Sequence, residues 1–117
     1  MSERDDRLSL RDMLAHAREA VELLGDGDRA FLARQRVLQL ALTRLVEIIG
    51  EAANRVSHET RQNTSEIPWR AIIGMRNRLV HGYDVIDYER LWDTITQDLP
   101  PLISALEGAI KDDSYSL

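Results

Sequence analysis

The 117-residue chain contains no cysteine. Disulfides, thiol nucleophiles and zinc–thiolate sites are excluded together, and a cytoplasmic location is expected. Aromatic residues make up only 5% of the chain, so Leu, Ile, Val and Ala must fill the core. Three prolines and six glycines, with 44% hydrophobic and 30% charged residues, suit a helical globular chain and not a disordered one. No run approaches the roughly 20 apolar residues that a membrane span requires. The charged opening Met1-Ser2-Glu3-Arg4-Asp5-Asp6 lacks the apolar stretch of a secretory signal. No glycine-rich loop is present to cradle a nucleotide, and no Asp/His grouping has metal-ligand spacing. No cofactor, no metal and no membrane contact are therefore expected. The length fits one domain over residues 1–117.

Lysine is nearly absent, with Lys111 alone among the cations that are not arginine. A net charge of −5 argues at first against a nucleic-acid partner. Its distribution is uneven. Between Ala52 and Tyr83, five arginines (55, 61, 70, 76 and 78) face only Glu59 and Glu66, so this segment carries +3 and the remainder −8. Such an asymmetry fits either a local phosphate-facing patch or an ordinary mixed surface.

Apolar residues recur at helical spacing through most of the chain. Leu10, Leu14, Ala17, Val21 and Leu24 form one stripe, which predicts a first helix from Asp5, capped by Asp5 or Asp6, to Leu24. Gly25-Asp26-Gly27 should stop it. A long second helix is expected over residues 28–56, with Leu38, Leu42, Leu45, Ile49, Ala52 and Val56 on one stripe. Val37, Ala41 and Ile48 widen that stripe, enough for a second subunit to pack there. Gly50, unfavourable in a helix by about 1 kcal/mol, is expected to permit close packing. Ser57 to Ser65 has no periodicity and reads as a loop. A third helix is expected from Pro68, with Ser65 or Glu66 helping to cap it, to Gly82. A fourth should start at Asp84 or Asp87, run through Ile110, and kink at Pro100-Pro101, ahead of a frayed tail from Asp112. No strand is expected. The fold class is all-α, an antiparallel four-helix bundle.

The run from Met75 to Tyr83 gathers Arg76, Asn77, His81 and Tyr83. On a continuous helix Asn77 would share a face with His81, and His81 would lie in the last turn, where the dipole favours imidazolium. Imidazole to move a proton and guanidinium to steady phosphorane charge suit phosphodiester cleavage. The same spacing also fits a salt-bridged arginine beside a capping histidine. Cleavage through the 2′-hydroxyl needs two proton transfers, which a two-fold homodimer would supply with two histidines in one cleft. His16 and His58 are expected to be exposed and inert, and Trp69 and Trp92 to serve the core or an interface. Glu51 reads as a solvated residue, with a place near a dimer cleft as the alternative.

Arg76-Asn77-Arg78-Leu79-Val80-His81-Gly82-Tyr83 resembles the Arg-x4-His-x-Tyr motif of HEPN-domain proteins, specifically the HepT toxins of HepT–MntA toxin–antitoxin systems. Ile67-Pro68-Trp69-Arg70, Ile72-Ile73-Gly74-Met75, Trp92-Asp93-Thr94, Asp98-Leu99-Pro100 and Ile48-Ile49-Gly50-Glu51-Ala52-Ala53 are similar to that family as well. The likeness covers most of the chain after residue 40. It implies a four-helix HEPN fold that dimerises, and a metal-independent endoribonuclease with Arg76 and His81 as the catalytic pair. Asn77 would complete the site by orienting His81 or by touching RNA. It further implies a nucleotidyltransferase antitoxin that transfers AMP to Tyr83, a bulky anion that would repel RNA. The alternative from another class is a non-catalytic module that binds RNA or nucleotide and partners the transferase.

Overall fold

The computed structural model describes residues 3–81 and 85–113, of which the side chains are described for 5–81 and 85–111. Helix α1 spans Glu3–Leu24 and ends as expected at Gly25, whose φ of +56° is the left-handed conformation that glycine adopts without cost. Its stripe is buried at Leu10, Leu14, Ala17 and Leu24, joined by Met13 and Ala20. Along the other elements the same core continues through Leu42, Leu45, Val46 and Ile49, then Leu91, Ile95, Leu99 and Leu106. No described helix is long and apolar enough to cross a membrane.

Asp6 does not cap α1. It lies one turn inside the helix, 2% exposed, and takes three hydrogen bonds from the far end of the next helical stretch. The Ser57 amide donates to it at 3.0 Å, the Ser57 hydroxyl at 2.6 Å and the Thr60 hydroxyl at 2.6 Å. Those donors belong to helix α4, His58–Asn63, which replaces the expected loop. Ser57 caps α4 by accepting from the Thr60 amide. The helix buries none of its own residues, which is why no apolar period betrays it.

The expected long second helix is broken. Asp28 caps a short α2, Arg29–Ala33, by accepting from the Phe31 amide at 2.8 Å, and α3, Arg36–Asn54, begins after Arg34 and Gln35. The buried Gln39 amide closes the break by donating to the carbonyls of Leu32 (2.8 Å) and Ala33 (3.3 Å). These are end-of-helix acceptors that need a donor from outside the helix. Further along α3, Gly50 permits the close packing expected of it. A Cβ there would stand 3.3 Å from the Ile72 carbonyl oxygen and 3.5 Å from that of Ile73.

Those carbonyls belong to α5, Trp69–Ile73, which is much shorter than the third helix expected. Pro68 sits at its cap, and neither Ser65 nor Glu66 supplies a side-chain cap. The chain tightens into a 3-10 turn, Met75–Arg78, then extends into strand β1, Val80–His81. β1 pairs antiparallel with β2, Val85–Ile86, placing Val80 opposite Ile86 and His81 opposite Val85. The ladder continues in the Asp87 amide, which donates to the Leu79 carbonyl at 2.8 Å. Three β-branched residues, Val80, Val85 and Ile86, suit this extended pairing better than they suit a helix end. The expected helix stop at Gly82, the cap at Asp84 and the modification site at Tyr83 lie outside the described residues.

Asp87 starts α6, Tyr88–Asp93, accepting from the Arg90 amide at 3.0 Å. A π turn, Thr94–Asp98, leads into α7, Leu99–Asp113, which extends into the stretch expected to fray. The disturbance anticipated at Pro100-Pro101 thus falls one turn earlier, and the prolines themselves are helical. A proline ring clashes with the carbonyl four residues back, and the wider π turn relieves that contact. Thr96 has prolines both four and five residues ahead, so its carbonyl has no donor from either position. Trp92 ties α6 to the α1–α2 connection, donating from its indole to the Gly27 carbonyl at 3.0 Å, with the Arg29 guanidinium 4.7 Å from its ring.

The hydrogen bonds to Asp6 outweigh the burial that opposes its ionisation and hold its carboxyl below the usual range. Asp6→Ala is expected to destabilise the fold by about 2 kcal/mol, the scale of hydrogen bonds to a charged group. Because the folded value is depressed, the stabilisation is complete above the unfolded carboxyl's value of about 4 and is lost as pH falls through the folded one. Urea unfolding of wild type and Asp6→Asn between pH 3 and 7 should show their difference shrinking at the acid end. Gly50→Val should lower stability by about 1–3 kcal/mol by forcing α5 off α3. A lower urea midpoint at unchanged slope is the expected signature.

Candidate functional site

The 3-10 turn and β1 carry the Arg, Asn and His of the motif on the outer side of the α3–α5 contact. Arg76 leaves the turn with 45% of its side chain exposed, and its Nε lies 3.1 Å from Oε2 of Glu47 on α3. Glu47 stands one helical turn before Gly50, the point at which α5 meets α3. The other oxygen of Glu47 accepts from the Arg44 guanidinium, which also reaches Glu51 Oε1 at 3.4 Å. Arg76, Glu47, Arg44 and Glu51 therefore form one charge-alternating row, with Glu47 the least exposed side chain at 31%. The Glu47 carboxylate, hydrogen-bonded to Arg44, raises that guanidinium further above its ordinary value. Exposed ion pairs of this kind add little to stability, so the row matters for where it holds its side chains.

His81 sits in β1 and not in a final helical turn, which removes the dipole argument and its shared helix face with Asn77. Its ring is well exposed, and Nε2 lies 3.8 Å from Asp87 Oδ2. Asp87 is half-buried and fixed from three sides: its Oδ1 caps α6, its amide joins the strand ladder, and Arg90 Nε lies 3.7 Å from Oδ2. The two motif side chains are thus each set against a different carboxylate, Arg76 against Glu47 and His81 against Asp87. Asn77 is exposed, its amide nitrogen donates to the Gly74 carbonyl at 3.2 Å, and its side chain forms no hydrogen bond with a described residue.

The arginine-rich segment is less of a cationic patch in space than in sequence. Arg61 is turned onto the end of α3, donating to the carbonyls of Val56, Ala53 and Asn54 at 3.0–3.2 Å. It also lies 5.8 Å from the centre of the buried Trp69 ring. Arg78 donates to the Ala71 carbonyl at 3.0 Å. A polar groove of about 480 Å³ beside the motif is lined by Arg78 and Arg90 but also by Asp87, Glu89, Asp93 and Asp98. Glu51, read from sequence as solvated, is exposed yet belongs to the row beside Arg76. His58 is exposed, whereas His16 is half-buried with Nδ1 2.6 Å from the Asp12 carbonyl oxygen. Trp69 is a core residue and Trp92 is packed against the core.

Sequence reasoning passed over Glu47 and the role of Asp87 beside His81. The spacing of Arg44, Glu47 and Glu51, three and four apart on one helical face, is a readable signal for a row of charges. What it faces is not readable without the contact at Gly50.

Comparison with known proteins agrees with the residues. The family model described as "Ribonuclease HepT-like" matches residues 10–109. A Methanocaldococcus jannaschii protein named "Putative RNase" is 34% identical over 107 residues, covering 92% of this chain and 98% of its own. A Thermococcus cleftensis protein named "Probable ribonuclease HepT" is 36% identical over 108 residues, covering 88% of this chain and 97% of its own. No solved structure is a significant match. The helical fold, the motif segment and the extent of the match together place this chain in the HepT-like ribonuclease family of HEPN proteins.

Proposed function

We propose that the chain is the toxin of a cytoplasmic toxin–antitoxin pair, a metal-independent endoribonuclease that works as a two-fold homodimer. The observation that carries this reading is that Arg76 and His81 of a ribonuclease-family chain are both exposed, each beside its own carboxylate. In the four-helix scheme of HEPN proteins, α1, α3, α5 with its 3-10 turn, and α6–α7 are the four helical segments. The second copy is expected against the outer face of α3 and its neighbours. Val37 is 80% exposed there and Leu40 48%, and Leu23 and Phe31, also exposed, line one hollow with Val37.

In the shared cleft, the His81 of one subunit takes the proton of the RNA 2′-hydroxyl. The 2′-oxygen attacks phosphorus, the bond to the 5′-oxygen breaks, and His81 of the other subunit protonates that oxygen. The products are a 2′,3′-cyclic phosphate and a free 5′-hydroxyl. Arg76 stabilises the charge that builds on the phosphorane oxygens, and Asn77, whose side-chain amide has no described partner, contacts the RNA. Regulation is by a nucleotidyltransferase that transfers AMP from ATP to the Tyr83 hydroxyl, releasing pyrophosphate and placing an anion where RNA must enter.

His81→Ala and Arg76→Ala should each lower RNA cleavage at least about 100-fold, the scale of one lost acid–base or oxyanion-stabilising group, with helix content and dimer mass unchanged. Full cleavage by His81→Ala would overturn the mechanism, and RNA binding without cleavage by wild type would favour a non-catalytic module. Coexpression with a nucleotidyltransferase antitoxin from a neighbouring reading frame, the partner this reading requires, should raise the intact mass in AMP-sized steps. That gain should vanish in Tyr83→Phe.

A further inference from the structure

The geometry points to Glu47 as the positioning residue for Arg76: its carboxylate, paired with the guanidinium 3.1 Å from Nε, restrains that group from one side and leaves the terminal nitrogens to an incoming phosphate. The inference rests on the ribonuclease reading and extends it to a residue outside the motif. A guanidinium is a rigid plane with five N–H donors, one on Nε and four on the terminal nitrogens. Glu47 lies against the Nε side at 3.1 Å, and no described residue pairs with the terminal pair, the fork that grips a phosphate with two parallel bonds. An unrestrained arginine on an exposed 3-10 turn would sample many rotamers and would have to be ordered at each turnover. Ordering it beforehand removes that cost from the reaction step.

Glu47 is suited to this because it is itself fixed. It projects from the middle of α3, its second oxygen is held by Arg44, and Arg44 is held in turn by Glu51. The arrangement also has an opposing electrostatic effect. A carboxylate beside Arg76 cancels much of the attraction that the arginine offers to RNA in the ground state. Positioning and attraction therefore respond in opposite directions when the charge of Glu47 is removed. A residue that merely supported the fold would move both the same way.

Glu47→Gln keeps the size and an acceptor oxygen but loses the charge. In single-turnover cleavage of a short RNA, kcat is expected to fall at least tenfold while KM stays level or drops. The dependence of RNA binding on salt should steepen by about one released counter-ion, as Arg76 becomes free to meet a phosphate. Glu47→Asp, one methylene shorter, should recover part of kcat. In parallel, 15N relaxation of the Arg76 Nε resonance, assigned by its loss in Arg76→Lys, should report a restrained side chain in wild type and a freely averaging one in Glu47→Gln. An unchanged kcat in Glu47→Gln, or loss of kcat with weaker RNA binding and a lower melting temperature, overturns the positioning role alone. A wild-type protein that cleaves no RNA overturns the ribonuclease reading and any catalytic meaning for Glu47 with it.

Discussion

The motif is held where it is by one close approach, the backbone of α5 lying on α3 at Gly50. The space above that residue is too small for a side chain to pass without displacement, since even a β-carbon would stand 3.3 Å from the Ile72 carbonyl. α5 is only five residues long and could not hold its place by helix propensity alone. It is seated by burying Trp69 and Ile72 and by contact with a helix that offers no side chain at that point. The 3-10 turn follows within two residues, which brings Arg76 over Glu47, one turn of α3 before the glycine. The approach of two backbones thus decides which carboxylate the motif arginine meets.

A second constraint is the way arginines are distributed between structure and surface. The chain relies on arginine where other proteins would use lysine, and several of its guanidiniums do the work of caps. Arg61 satisfies carbonyls at the end of α3, and Arg78 satisfies one on α5. These are donors that a planar fork can place in pairs and a lysine cannot. Their charge is spent on backbone, and the carboxylates of α3 and α6 offset more of it. The described surface around the motif is therefore a set of individually paired charges and not a broad positive field.

The sequence was most legible where an apolar period had a clear beginning and end. The α1 stripe, its glycine stop, a helix start at Asp28, Asp87 as one of two candidate starts for the last helical stretch and the packing role of Gly50 were all readable from residue type and spacing. The break at Arg34-Gln35 was not, because apolar residues run through it in phase and the capping group is Gln39, a residue beyond the break. α4 was hidden for the opposite reason: it is anchored by polar bonds to Asp6 and leaves no apolar trace. The stretch from Ile72 to Ile86 misled because its apolar residues suit a helix until Leu79, after which pairing across the chain favours extended backbone. Of the site, Arg76, Asn77 and His81 were legible by type. Their partners were not, since Glu47 and Arg76 are joined only through the tertiary contact at Gly50.

The π turn ahead of Pro100 and Pro101 bears on how the chain opens. Helical cooperativity is carried by successive amide-to-carbonyl bonds, and at Thr96 two consecutive residues that should donate have no hydrogen to give. α6, the π turn and α7 follow one another without a gap in the chain, but the ladder between them is thinned at this point. A fluctuation that unwinds α6, whose first turn is fastened by Asp87 next to His81, has little means of propagating into α7. Local opening at the Asp87–His81 edge is thereby separated from the helix that closes the core.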